Sequence, residues 1–129
     1  MNEVAKSVVI ATNDPDVKKQ ISSLLTQYAF SIVIEKSTIK SILKILEQEI
    51  DFIILDFDTL PNSSIDLISI VRKMRPRIPI VVLSSDNSLE TVRAFTEVGV
   101  FYYAIKPIQI IEIEKVLEAL MRRNHKSVI

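Results

Sequence analysis

The chain predicts an α/β fold in which five β-strands alternate with five helices, a (βα)5 arrangement built on a parallel sheet. Three observations carry the prediction. Short aliphatic or β-branched runs recur between amphipathic helical stretches along all 129 residues. The run Phe52-Ile-Ile-Leu55 has no polar alternation, as expected of a strand covered on both faces. No repeat, low-complexity stretch or internal linker interrupts the pattern, and the length suits one domain. Alternating strands and helices imply helices on both faces of the sheet with right-handed crossovers.

Ser7-Val-Val-Ile-Ala-Thr12 reads as the first strand. Asp14 then serves as a helix N-cap with Pro15 at the first helical position, and Val17, Ile21, Leu24, Leu25 and Tyr28 fall at helical spacing. Phe30–Glu35 is the second strand, and Ile39, Ile42, Leu43 and Leu46 make the apolar stripe of the second helix. Asp51–Asp56 is the third strand. A loop through Pro61, Asn62 and Ser63 leads to a helix carrying Ile65, Leu67, Ile68, Ile70 and Val71, closed by Arg75-Pro76-Arg77. Ile78–Ser84 is the fourth strand. Ser88 caps a fourth helix with Leu89, Val92, Phe95 and Val98 facing inward, ended by Gly99 where a helix C-terminus favours positive φ. Val100–Ile105 is the fifth strand, and Ile110, Ile111, Ile113, Val116, Leu117 and Leu120 line the last helix. The domain is read as residues 7–122, with flexible ends at 1–6 and 123–129.

Composition removes several classes of function. Sixteen basic and sixteen acidic residues cancel, so no global field draws the chain to nucleic acid or an anionic membrane. The absence of Cys excludes thiol catalysis and Cys-based zinc sites and suits a cytoplasmic location. A single histidine, His125, excludes a multi-His metal site, and one glycine excludes Gly-rich phosphate loops. No apolar run is long enough to span a bilayer.

What remains informative is the strand ends. In a parallel α/β sheet ligands bind outside the carboxyl ends of the strands. If the third, fourth and fifth strands are neighbours, Asp56, Ser84 and Lys106 converge there. A carboxylate beside a cation and a hydroxyl donor is an arrangement suited to handling phosphoryl groups. Each also has a plainer reading: a strand-end carboxylate capping a turn, a strand terminator, a lysine snorkelling to the surface.

With these segments in place, Asp51-Phe-Ile-Ile-Leu-Asp56, Ile78-Pro-Ile-Val-Val-Leu-Ser84 and Gly99-Val-Phe-Tyr-Tyr103-Ala-Ile-Lys106-Pro107, the sequence resembles a response-regulator receiver domain over nearly its whole length. The resemblance implies a flavodoxin-like three-layer fold with strand order 2-1-3-4-5. It implies that Asp56 accepts a phosphoryl group, that Ser84 and Lys106 contact that group, and that Tyr103 is the aromatic switch residue. It also implies a cis Lys106–Pro107 peptide bond. The implied partners are a histidine kinase or phosphotransfer protein on the input side. On the output side they are an effector domain or partner protein, met through the face of the fourth helix, fifth strand and fifth helix. Phe101, Tyr102 and Ile108 are candidates there, for a partner or a homodimer. Membrane contact and direct nucleic-acid binding are not expected of this domain, and no enzyme activity is. The ending at Ile129 fits either a stand-alone domain or part of a longer regulator.

The sequence departs from the family where Mg²⁺ would bind. The acidic pair that usually ends the first strand reads Thr12-Asn13, with an acid only at Asp14. The proline usual four residues after the acceptor is replaced by Leu60, with Pro61 following, and the small residue usual near the next helix start is Ser64 rather than Gly. Mg²⁺ prefers octahedral oxygen ligands that include one or two carboxylates. Asp56, Asp58 and the uncharged Asn13 are the available donors, with Asp14 read as the helix cap and Asp58 as a solvated loop acid. Inward rotation of Asp14 or folding of Asp58 over the site are the alternatives. Mg²⁺ binding is therefore expected to be weak or absent. That expectation keeps a second function open, an atypical pseudo-receiver that binds partners independently of phosphorylation.

Overall fold

The computed structural model of the protein describes the backbone of residues 6–60 and 64–127 and the side chains of 6–60 and 65–122. Its elements are β1 (Ser7–Ala11), α1 (Pro15–Gln27), β2 (Ser31–Glu35), α2 (Thr38–Glu47), β3 (Phe52–Asp56), α3 (Ser64–Met74), β4 (Ile80–Ser84), α4 (Leu89–Glu97), β5 (Tyr102–Ile105) and α5 (Ile110–Ser127). All strand pairs are parallel and the sheet order is β2-β1-β3-β4-β5. The Pro61-Asn62-Ser63 loop, residues 1–5 and 128–129, and the side chains of Ser64 and 123–127, His125 among them, lie outside the described residues. Helical backbone runs on through Ser127, past residue 122 where the sequence reading ended the domain.

Strand alternation divides the core into two layers. Val8, Ile10, Phe52, Ile54, Val81 and Leu83 face α1 and α5, which contribute Val17, Ile21, Leu24, Leu25, Ile113, Val116, Leu117 and Leu120. Val9, Ala11, Ile53, Leu55, Ile80 and Val82 face the other way, against Ile45 of α2, Leu67, Ile68 and Val71 of α3, and Phe95 of α4. Every residue of β3 and β4 is buried, which accounts for their uninterrupted apolar character.

Local chemistry sets the helix boundaries. Asp14 accepts a hydrogen bond from the Asp16 amide at 2.9 Å and Pro15 opens α1. Ser37 and Ser88 cap α2 and α4 in the same way, accepting from Lys40 N and Thr91 N. Gly99 follows α4 at φ +88°. The turn after α1 adopts the same left-handed geometry with Ala29 at φ +63°. There the Ala29 amide donates to Thr26 O and the Phe30 amide to Leu25 O.

Three inward assignments need correction. In α2 it is Ser41 and Ile45 that are buried, while Ile39, Leu43 and Leu46 are 70%, 47% and 49% exposed. Ser41 lets the helix approach the sheet closely because it is small and its hydroxyl donates to Ser37 O within the helix. The apolar stripe is therefore rotated off the sheet, with only Ile42 reaching the core edge. Leu89 stands in the first turn of α4, where no neighbouring element covers it, and is exposed. In α5, Ile110 and Ile111 precede the buried seam that begins at Ile113 and are likewise exposed. Urea denaturation should show Ile45→Ala losing about 2–5 kcal/mol, whereas Ile39→Ala stays within about 0.5 kcal/mol of wild type.

Candidate phosphoryl site at the carboxyl edge of the sheet

The ladder of the central strands continues past their ends. The Phe57 amide donates to Leu83 O at 2.9 Å and the Lys106 amide to Ser84 O at 2.8 Å. These bonds hold Asp56, Ser84 and Lys106 side by side. Asp56 is completely buried, and both its carboxylate oxygens are satisfied. Oδ1 accepts from Lys106 Nζ at 2.9 Å and from the Asp58 amide at 3.2 Å. Oδ2 accepts from Thr12 Oγ1 at 2.7 Å, and Thr12 in turn accepts from the Asp14 amide at 3.0 Å. The Lys106–Pro107 peptide bond is cis.

Asp58 is not the solvated loop acid expected of it. Its side chain is only 27% exposed and folds over the site. Oδ2 pairs with Lys106 Nζ at 3.1 Å. Oδ1 accepts from Ser84 Oγ at 3.3 Å, and the Ser85 amide reaches both oxygens at 3.1 and 3.0 Å. Backbone position alone could not predict this, because the donors come from strands 26 and more residues away. In the sequence Thr12 stands only where an acid is missing, and the structure makes it a donor to Asp56. A buried strand-end carboxylate beside a first-strand hydroxyl is the signal that could have indicated it.

From Ser84 a hydrogen-bonded chain runs outward. Ser84 Oγ accepts from the Asp86 amide at 3.0 Å, and Asp86 O accepts from Tyr103 Oη at 2.6 Å. The half-buried Tyr103 ring packs on Phe95 at 5.5 Å between centroids, and Phe95 makes an edge contact with Phe57 at 4.9 Å. The site loop, α4 and β5 thus share one aromatic cluster. Phe101 and Tyr102, on the far side of β5, line an open groove of about 800 Å³ with Ile111, Val116 and Ala119 of α5.

Charge at the site is compensated within it. For Asp58, burial pushes the carboxyl up, but the Ser85 amide and the Lys106 ammonium outweigh it and hold the group below its ordinary value of 3.8. For Lys106, burial works downward, and bonds and attraction from Asp56 and Asp58 win, so it is held above 10.5. The Tyr103 hydroxyl is pushed up, mainly by burial.

The sequence model described as a response regulator receiver domain matches residues 8–118. The transcriptional regulatory protein GlrR of Escherichia coli K12 is 23% identical over 108 residues, which is 84% of this chain and 24% of that protein. The chain thus spans about a quarter of that curated relative. Among solved structures, a CheY-like receiver domain protein from Methanospirillum hungatei aligns with a TM-score of 0.84 at 20% identity, covering 95% of this chain and 99% of that one. The receiver domain of sensor histidine kinase PA1611 from Pseudomonas aeruginosa aligns with a TM-score of 0.79 at 18% identity, covering 91% and 98%, and holds a magnesium ion in its active-site cleft. At these identities the structural likeness establishes the fold. Among the described residues no helix is long and apolar enough to cross a membrane.

The residues present here do not fit a comparable cation pocket. Among the described residues no group of three His, Cys, Asp or Glu side chains gathers at one point. Asp14 is turned to its helix cap, and the Asn13 amide donates to Lys36 O at 3.0 Å and Thr59 O at 3.4 Å. The oxygens of Asp56 and Asp58 are occupied by Thr12, Ser84, Ser85 and Lys106. The Lys106 ammonium bridges the two carboxylates.

The pH dependence follows from the shifts. A depressed Asp58 contributes stability above its ordinary value and loses it as pH falls through the depressed one, while a raised Lys106 contributes below 10.5 and loses it above. The stability difference between wild type and Asp58→Asn, measured by urea titration across pH, should be flat from about pH 5 to 10 and shrink progressively as pH falls below about 4.

Proposed function

The chain belongs to the response-regulator receiver family, and we propose on that footing that it is a signalling domain whose Asp56 accepts a phosphoryl group and switches a partner-binding surface. The observation that carries this reading is the buried Asp56 carboxylate, 2.9 Å from Lys106 Nζ at the carboxyl edge of the sheet and next to Ser84. An Asp56 oxygen attacks the phosphorus of a phosphohistidine on a histidine kinase or phosphotransfer protein. The P–N bond breaks with its electrons passing to the imidazole, which leaves neutral because its other nitrogen carries a proton. The product is a mixed carboxylic–phosphoric anhydride on Asp56. Lys106 neutralises the added charge, and Ser84 Oγ and the Ser85 amide supply donors to its oxygens.

Because the donor set does not fit Mg²⁺, charge neutralisation falls to Lys106, and a divalent ion adds little. Ser84 and Tyr103 couple the site to the face of α4, β5 and α5, whose groove beside Phe101 and Tyr102 is apolar enough to receive an effector domain, a partner protein or a second copy of the domain. Balanced charge argues against nucleic-acid binding by this domain itself. The domain works in the cytoplasm, as its Cys-free composition suits.

Incubation with acetyl phosphate, read by intact mass, tests the acceptor. Wild type should gain one phosphoryl mass and Asp56→Asn none, and chelating Mg²⁺ should slow the reaction by less than about tenfold. No adduct on wild type, at any Mg²⁺ concentration, would leave the phosphorylation-independent interaction module as the function.

A further inference from the structure

Asp58 holds a position that the acceptor reading does not use. Its carboxylate is held by three donors: Lys106 Nζ at 3.1 Å, Ser84 Oγ at 3.3 Å and the Ser85 amide at 3.0 Å. These are an ammonium, a hydroxyl and a backbone N–H converging from β4 and β5 on one anion. A phosphoryl group on Asp56 would lie next to the same ammonium, since Lys106 touches both carboxylates. It would therefore need the donors that Asp58 already takes. A phosphoryl group adds negative charge beside an ammonium that Asp56 and Asp58 already share, and the single Ser84 hydroxyl proton can serve only one of the competing anions.

The same carboxylate sits at the head of the hydrogen-bonded chain. Ser84 Oγ can donate only one proton, and it donates to Asp58 while accepting from the Asp86 amide. Asp86 O then receives the Tyr103 hydroxyl. The arrangement of the loop after β4, and with it the inward tether of Tyr103, is thus formed around an anion that is part of the chain.

We propose that Asp58 is a resident surrogate for the phosphoryl group, an internal anion that blocks acceptance at Asp56 and holds the Ser84–Asp86–Tyr103 relay engaged before any modification. The proposal rests on Asp56 being the acceptor. In it, phosphoryl transfer begins with Asp58 swinging out to solvent, and the incoming group takes over its donors. The relay is then passed from one anion to another and Tyr103 stays tethered, while the loop that Asp58 leaves is what modification moves, reaching the face of α4 and β5 through Phe57 and Phe95. The domain's resting state is the engaged one. Loss of the Asp58 carboxylate, rather than gain of a phosphoryl group, is the event that releases Tyr103.

The test reads both halves separately on the whole chain. Uniform 3-fluorotyrosine labelling gives three ¹⁹F signals, for Tyr28, Tyr102 and Tyr103, with Tyr103 assigned by its loss in Tyr103→Phe. In unmodified protein, Asp58→Ala should move the Tyr103 signal and leave Tyr28 in place. With acetyl phosphate, Asp58→Ala should gain its phosphoryl mass at least about tenfold faster than wild type, because a charge-assisted hydrogen-bond set no longer has to break first. The adduct should return the Tyr103 signal towards its wild-type position. Asp58→Asn, which keeps the shape and removes the charge, should act in the same direction if the alanine variant is poorly folded. An unmoved Tyr103 signal in both variants overturns the proposal. So does an adduct that forms no faster than on wild type. No adduct on any variant defeats the Asp56 acceptor reading instead, and the Tyr103 signal still decides whether Asp58 holds the relay.

Discussion

A carboxylate with no solvent exposure is the constraint around which the carboxyl edge of this sheet is organised. Burying Asp56 without partners would cost several kcal/mol, so each oxygen must be met by a donor. The sheet order provides them. Placing β3 between β1 and β4 brings Thr12 to one side and Ser84 to the other, and β5 delivers Lys106 over the top. Lys106 then carries two carboxylates, which leaves the three charged groups with a net charge of −1 when all are ionised. That remaining charge is met by neutral donors, the hydroxyls of Thr12 and Ser84 and the amides of Asp58 and Ser85.

The aromatic cluster gives the same site mechanical reach. Phe57 directly follows Asp56 and meets Phe95 of α4, which also meets Tyr103 of β5. Movement of the loop after β3 is therefore felt by a core residue with no exposure at all. Cores of this density shift between discrete packings rather than deforming smoothly. A small change in donors at the edge can be expressed at the groove beyond β5 for that reason.

Much of this was legible in the sequence, and the parts that were not share a cause. The strands were readable because a layer covered on both faces must be apolar throughout, as in Phe52–Leu55. The Asp14 and Ser88 caps were readable because capping is chemistry between residues two or three apart. The outward turn of α2 was not, since four apolar residues at helical spacing outline a stripe without saying which arc meets the sheet, and the buried Ser41 looks polar on paper. Thr12 and Asp58 were misjudged for a related reason. Their roles are set by partners 44 and 26 residues away, and only the assembled strand order brings those together.

The two left-handed turns are held in different ways. Behind α4 the chain uses its single glycine, with only the Arg72 side chain close by, 3.3 Å from where a Cβ would stand. Behind α1 the same geometry is forced on Ala29, at roughly 1 kcal/mol of conformational strain, and is held by two backbone bonds to the helix end. An alanine there has few other conformations within reach, whereas a glycine has many. Gly99 is restrained instead by its partners: its amide donates to Thr96 O, the Val100 amide donates to Phe95 O, and Arg72 of α3 donates to the Gly99 carbonyl at 3.0 Å. The joint leading to β2 is stiff by its own conformational limits, and the joint leading to β5 by a clamp from α3, on the flank that carries Tyr103 and the groove.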